Sequence, residues 1–397
     1  MSDEKFEDVQ TEEVLSDGKT ANLAGAELAA DEEQIGQRIR TNTMNAEWMN
    51  AWRWLMQHED YRPMALELVR GMQDAPDEEN LSPALAKQLF TERIITVSRL
   101  ESYAACPYSH FVEYGLRPQE QREWGVDPRE RGTFFHAAME GFTRTLPENE
   151  KWPHIGRKEC DEMMTAALKP LVAAWDDSAF TDTARTRAEA RRYMNICKRV
   201  AWAFTKGAMQ SQFRPSEIEV AFGYPGGPPP LVLTLHDGSR VLVRGRIDRI
   251  DRFDSGESVY LRVVDYKSGE QRLDASRIYI GMQLQLLLYL EAALENEKNA
   301  LPAGAFYQWM GDPLVDQEKK YAIESELAKR LCLKGVMLSD VQVIEWMDAA
   351  KPPVSIEDVL KKDGTPRSGK LACTLEELNT LIQRAPKRAS PHRSAER

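Results

Sequence analysis

Several common signatures are missing from this sequence, and each absence excludes something. Its five cysteines, Cys106, Cys160, Cys197, Cys332 and Cys373, never fall within four residues of one another. That spacing excludes a paired-cysteine zinc or redox motif, and an odd number is a poor disulfide framework. Five reduced thiols in a cytoplasmic protein are therefore expected. The most apolar stretch, Ile280 to Leu294, is interrupted by Gln283, Gln285 and Glu291, and is too short and too polar to span a bilayer. No basic and apolar leader opens the chain, so no secretory signal is read there. Gly18-Lys19-Thr20 lacks the earlier glycine of a phosphate loop, so neither ATP binding nor motor activity is expected. No internal repeat and no long low-complexity segment occurs.

Positive charge is also in deficit: 52 Lys and Arg stand against 63 Asp and Glu, a net charge of −11. The deficit is local. Residues 1–34 carry eleven acidic side chains and two lysines, which leaves −2 for the rest of the 397-residue chain. A segment so acidic and so poor in large apolar residues cannot offset the entropy of ordering. The sequence divides into an acidic disordered tail (1–40), a helical segment (41–96), an α/β body (97–383) and a basic disordered tail (384–397). The acidity of the whole does not exclude a nucleic-acid partner for the body.

In the helical segment, Trp48, Trp52, Trp54 and Leu55 predict a helix over 46–55. Further helices are expected over 64–72 and, opened by Ser82 and Pro83, over 83–90. Residues 94–99 read as an extended link, with Ser98 as the cap of the next helix. Phe134, Phe135, Ala138, Met139 and Phe142 repeat at helical spacing over 133–146, and 160–176 and 184–210 are two more helices. Strands begin near Pro215. A hairpin joins 231–235 to 240–251 through a turn containing Asp237-Gly238, and a second turn at 254–257 leads into a strand over 258–267. One long amphipathic helix over 276–294, a strand over 304–310 and a small C-terminal subdomain complete the expectation.

The residue pattern richest in chemistry is Gly245-Arg246-Ile247-Asp248-Arg249-Ile250-Asp251, followed across the turn by Val263-Val264-Asp265-Tyr266-Lys267-Ser268-Gly269. Alternation along a strand puts Asp265 and Lys267 on one face, and pairing of the two strands brings Asp248 near them. Two close carboxylates repel unless a cation lies between them, and Mg²⁺ needs little more than two carboxylates and a phosphate oxygen. Such an ion polarises a phosphodiester, while a neighbouring ammonium orients water or stabilises developing charge. The bland alternative is a solvated hairpin with ordinary surface charges; Val263 and Val264, apolar on both faces, argue for a buried strand instead.

Three further groups have two readings each. His136 shares a helix face with Glu140, as a packed core histidine or as a ligand. Gln285 and Tyr289, four apart, form a polar helix edge or contact substrate or the lysine. Residues 185–214 hold eight basic side chains, among them Arg191, Arg192, Lys198 and Arg199, interleaved with Tyr193, Trp202, Phe204 and Phe213. They form either a phosphate-tracking stripe with stacking aromatics or a helix with one solvated and one core face.

In this order, the Gly-x-x-x-His helix, the Gly-x-x-Asp strand, Asp-Tyr-Lys-Ser-Gly and Gln-x-x-x-Tyr resemble the RecB-type branch of the PD-(D/E)XK nucleases. The likeness extends to the B subunits of bacterial AddAB-type ATP-dependent helicase/deoxyribonucleases, through residues 97–111, Tyr114-Gly115-Leu116, 279–285, 304–307, 333–338 and Met347-Asp348. It covers roughly residues 80 to 380.

The resemblance implies a PD-(D/E)XK core, a mixed sheet flanked by helices, over 97–383, and the end of a helicase-like region over 41–96. It implies that Asp248 and Asp265 bind Mg²⁺ or Mn²⁺ with His136 as a third ligand, that Lys267 is the catalytic lysine, and that Gln285 and Tyr289 support it. The activity implied is that of a DNA nuclease, expected to be an exonuclease. It would act on single- or double-stranded ends in recombinational repair, as a heterodimer with a helicase/nuclease A subunit, in the cytoplasm at the nucleoid and without a membrane. In the family a 4Fe-4S cluster joins one cysteine, here Cys106, to three in a C-terminal group. This sequence lacks those three, which leaves the cluster in doubt and makes the chain read as a fragment. The rival expectation is a catalytically inert subunit that binds DNA or a helicase partner.

Overall fold

The computed structural model describes residues 46–66, 81–92, 94–119, 128–174, 183–234, 238–314 and 323–388. The expected acidic tail lies outside them, as do most of the helix expected over 64–72, part of the 235–239 turn and the end of the basic tail. The chain divides into two compact units, residues 1–86 and 87–397. In the first, helix α1 (Ala46–Gln57) buries Leu55, and the Trp54 ring packs on His58 and Tyr61. Helix α2 (Pro83–Leu89) spans the division.

The second unit opens with β1 (Ile94–Thr96), α3 (Val97–Ala105), the short α4 (Pro107–His110) and a π-helical turn over Phe111–Leu116. Three long helices follow: α5 (Pro128–Thr145), α6 (Arg157–Ala173) and α7 (Ala184–Gln210). Then come β2 (Arg214–Phe222), β3 (Leu231–Thr234), β4 (Arg240–Asp254), β5 (Val259–Lys267), α8 (Ala275–Tyr279), α9 (Gln285–Asn296) and β6 (Ala300–Trp309). Helix α10 (Ile323–Leu331), β7 (Lys334–Leu338), α11 (Val341–Met347), β8 (Leu371–Cys373) and α12 (Leu375–Arg388) complete the unit. Among the described residues no helix is long and apolar enough to cross a membrane.

The eight strands form one mixed sheet, β1-β4-β5-β6-β7-β8, with β2 and β3 also paired to β4. Strand β4 changes neighbours along its length. On one flank, β2 and β3 run antiparallel to its second and first halves. On the other, β1 borders Leu242–Arg244 in parallel, and the antiparallel ladder with β5 begins at Arg249. Between those two contacts, Gly245–Asp248 have no ladder partner on that flank among the described residues. Strand β5 runs on past the same point, held in parallel by β6 through Lys267.

Two apolar layers cover the sheet. Phe135, Met139, Phe142, Met164, Val200 and Phe204 of α5–α7 pack with Tyr266 and Met310, as the helical spacing of these residues requires. Leu286, Leu287, Leu290, Leu378 and Ile382 of α9 and α12 pack with Ile250, Val263, Phe306 and Val336. Several expectations are corrected. Thr96, not Ser98, caps α3, because its hydroxyl accepts from the Arg99 N–H. The helix expected over 276–294 is two: Gly281 takes a left-handed φ of 83° and breaks it, so α9 starts at Gln285. The C-terminal residues form no separate subdomain, since β7 and β8 extend the same sheet. Helix α12, anchored by Leu378 and Ile382, continues to Arg388, so residues 384–388 belong to a helix rather than a tail.

Candidate functional site

Where β4 and β5 part, side chains take over from the ladder. Asp248 is nearly buried, and its Oδ2 accepts the Tyr266 backbone N–H at 2.6 Å, satisfying an amide that has lost its strand neighbour. Its Oδ1 lies 3.1 Å from Nδ1 of His136, which α5 delivers from the opposite layer. Glu219 of β2 completes a group: one ligand atom from each of His136, Glu219 and Asp248 lies within 4.8 Å of the others. Among the described residues no other three His, Cys, Asp or Glu converge in this way.

Glu219 reaches the group through an unusual backbone. Its φ of 55° is left-handed in mid-strand, at the position facing Asp248 in a register that runs unbroken from Ile218↔Arg249 to Val220↔Ile247; the shift in this ladder lies between Pro215 and Glu217. Strain of that kind persists only where surrounding structure enforces it. The Arg246 guanidinium sits 3.6 Å from Glu219. No motif pointed to this residue; its signal is conformational, and sequence spacing carries none of it.

On β5, Asp265 is buried beside the same group, and Lys267 Nζ lies 2.7 Å from its Oδ2. Lys267 also donates to Gln285 Oε1 at 2.8 Å, and Gln285 Nε2 donates to Tyr289 Oη at 3.1 Å. The break at Gly281 makes Gln285 the first residue of α9 and so turns it toward the lysine. Tyr289 packs over Gly245, where a Cβ would stand 2.7 Å from its ring. The glycine of the Gly-x-x-Asp strand is thus a close-approach glycine.

The charges do not balance. Burial, and then the Asp248 charge, push the Asp265 carboxyl up to about 7, against the opposing pull of Lys267 and His136. Burial pulls the His136 imidazole down, yet the Asp248 hydrogen bond and the charges of Asp248, Asp265 and Glu219 hold it above its ordinary value. Glu219 is raised by burial and by Asp248. A cluster in which burial and neighbouring charge raise two carboxyl groups, Asp265 and Glu219, is short of positive charge.

The reverse face of the same strands is different. Arg249 Nε lies 2.8 Å from Asp251 Oδ1, Arg262 Nε donates to Asp251 Oδ2 at 2.9 Å, and Arg249 donates to Tyr266 Oη at 2.8 Å. All four side chains are buried, and the Arg249 guanidinium stacks 4.2 Å from the Phe204 ring centre. The two aspartates of Gly245–Asp251 therefore serve opposite clusters.

The remaining candidates lie elsewhere. Glu140 pairs with Arg144. Exposed Cys106 caps α4, its Sγ accepting from the Ser109 N–H at 3.4 Å. Cys160, Cys197 and Cys332 are buried, Cys373 is partly so, and no group of three ligand residues among those described includes a cysteine. As placed, these thiols do not make a four-thiolate cage. On α7, Arg192 and Arg199 both pair with Asp312, Arg191 is exposed and Lys198 partly buried. Phe204 and Phe213 are core residues and Tyr193 packs edge-on to Phe135, so these three follow the core-face reading, while Trp202 is partly buried with the Arg157 guanidinium over its ring.

Known proteins resemble this chain over most of its length. The profile of the PD-(D/E)XK nuclease superfamily matches residues 94–386. The chain is 31% identical over 349 residues to the B subunit of an ATP-dependent helicase/deoxyribonuclease from Thermoanaerobacter sp. (strain X514), covering 85% of this chain and 30% of that protein. The B subunits of the same description from Alkaliphilus oremlandii (strain OhILAs) and Pelotomaculum thermopropionicum (strain DSM 13744 / JCM 10971 / SI) are each 33% identical. They are matched over 325 and 347 residues, 80% and 84% of this chain. The chain spans 28–30% of the length of these three relatives.

Proposed function

The chain belongs to the PD-(D/E)XK nuclease superfamily, and from that premise we propose that its second unit hydrolyses DNA phosphodiesters with a divalent cation, Mg²⁺ or Mn²⁺. The observation that carries this is the unbalanced cluster: nearly buried Asp248 and Asp265, with His136 and Glu219 beside them, in which Asp265 ionises only near 7. Oxygen-rich donors with one imidazole suit such an ion. Asp248, Asp265, His136 and Glu219 would hold it, and when bound it would supply Lewis-acid polarisation of the phosphate and neutralise developing charge.

This chain's own residues do the rest. Asp265 and Gln285 fix the Lys267 ammonium from two sides, leaving a lysine's third donor direction for a water or a non-bridging phosphate oxygen. Water attacks phosphorus in line, its oxygen forming the new P–O bond as it gives up a proton to solvent; the P–O bond to the departing sugar oxygen breaks, and that oxygen takes a proton from solvent. Lys267 stabilises the extra negative charge at the phosphoryl oxygens, and Tyr289 braces Gln285. From the names of the relatives we take DNA as substrate and a helicase-bearing subunit as partner; the motif resemblance adds DNA ends and recombinational repair as the setting. Cleavage is proposed to be exonucleolytic.

The test uses the full chain with linear single- and double-stranded DNA, labelled at either the 5′ or the 3′ end, with Mg²⁺ or Mn²⁺ and a chelator control. Lys267→Ala is expected to lower cleavage by about 10²–10³-fold, and Asp265→Ala at least as much. Cleavage that survives either substitution sinks the assignment.

A further inference from the structure

Glu101 lies outside the lysine–metal cluster, yet it is bonded to it at one remove. Helix α9 begins at Gln285, and its N-cap residue, Leu284, makes no side-chain capping bond. The open amides are met from a distant part of the chain. Glu101 Oε1, on α3, accepts from the Leu284 N–H at 2.6 Å and from the Gln285 N–H at 2.8 Å. A carboxylate there satisfies two orphan donors and meets the positive end of the helix dipole.

The capped residue is the one that holds the lysine. Gln285 Oε1 receives Lys267 Nζ at 2.8 Å, while its backbone N–H is held by Glu101. Immediately upstream the helical run is interrupted at Gly281, so the first turn of α9 takes its placement from α3 across the fold. Burial raises the Glu101 carboxyl above its ordinary value, and the Gln285 and Leu284 amide bonds, followed by the charges of Lys267 and Arg277, pull it back toward the ionised form.

We propose that Glu101 is a positioning residue: it clamps the first turn of α9 so that Gln285 holds the Lys267 ammonium against Asp265. The proposal rests on the nuclease reading above, since it assigns the clamp to that reaction. Small displacements of a reacting group reduce turnover steeply, so loss of the clamp should appear in kcat rather than in KM.

The experiment compares wild type, Glu101→Ala, Glu101→Gln, Gln285→Ala and the Glu101→Ala/Gln285→Ala double variant in the full chain with labelled DNA and Mg²⁺. Glu101→Ala is expected to lower kcat about 10- to 100-fold with KM within about twofold, and Glu101→Gln, which keeps an acceptor oxygen, to recover to within about threefold of wild type. The double variant should be no worse than Gln285→Ala, whereas independent structural damage would multiply the two losses. Amide hydrogen exchange at Leu284 and Gln285 should quicken in Glu101→Ala and not in Glu101→Gln, a readout that needs no catalysis. Multiplied losses, or unchanged exchange, overturn the proposal. A wild-type chain that cuts no DNA instead overturns the nuclease reading, and the exchange data then decide the clamp alone.

Discussion

Strands β4 and β5 carry two buried charge clusters, one on each face, built from alternating residues of the same short motifs. On the reverse face, Asp251 stands between Arg249 and Arg262, and Arg249 binds the Tyr266 hydroxyl. Burial would raise Asp251, but the two guanidiniums hold its carboxyl below the ordinary range. On the other face, burial and Asp248 drive Asp265 up to about 7 despite an ammonium at 2.7 Å. Both clusters remove charge from water. On the reverse face two guanidiniums more than offset the one carboxylate, and burial lowers Arg262; on the other face burial and mutual repulsion raise Asp265 and Glu219, so the first cluster reads as architecture and the second as the proposed cation site.

The same substitution on the two faces breaks this comparison most sharply. Asp251→Asn leaves two buried guanidiniums without their carboxylate and should destabilise the protein by about 3 kcal/mol in urea unfolding. Asp265→Asn removes one of three neighbouring carboxylates and should leave metal-free stability unchanged or higher, while abolishing metal-dependent cleavage. Equal losses of stability at both positions would show that the faces are not energetically distinct.

Next in size is the response to pH and metal. Asp265 and His136 are both raised in the folded protein. Their contributions to stability are therefore present at low pH and are lost as the pH climbs through about 7 for Asp265 and through the elevated imidazole value for His136. Asp251 is lowered, so its contribution persists until the pH falls below the ordinary carboxylate range. The metal-free Tm should drop between pH 6 and pH 8.5, and Mg²⁺ or Mn²⁺ should raise it more at pH 8.5 than at pH 6. In Asp265→Asn both effects should shrink. A flat metal-free profile would contradict the charge deficit.

The same contrast explains what the sequence made legible. Asp248, Asp265 and Lys267 lie on strands joined by a short turn, so period-two alternation and neighbour pairing suffice to bring them toward one place. The helices of α5–α7 were readable because Phe135, Met139 and Phe142 must share a face. Glu219 was not, because β2 reaches β4 only through long-range pairing, and its aim depends on one left-handed residue. Glu101 was hidden for a similar reason: its partners lie 183 and 184 residues away. The division of 276–294 into two helices turns on Gly281, a local conformation that apolar periodicity does not register. The Arg249–Asp251–Arg262 cluster shares its motif with the site, and only the register of β4 on β5 separates them.

The smallest expected effect probes the strain itself. Glu219 holds a φ of 55° inside a strand, and a left-handed backbone costs a side chain like glutamate about 1–2 kcal/mol. Asparagine tolerates that region better, and Glu219→Asn also removes a carboxylate that repels Asp248. Metal-free protein carrying the substitution should gain about 0.5–1 kcal/mol, roughly 2 °C in Tm for a domain of this size. The Mg²⁺-induced rise in Tm should meanwhile fall, because a donor atom of the His136–Glu219–Asp248 group has been withdrawn. The equivalent exchange at Asp251 should lower Tm and leave the metal response intact. A Glu219→Asn variant that loses stability would mean that the left-handed turn serves the packing of β2 on β4, and the two faces would then differ in charge but not in strain.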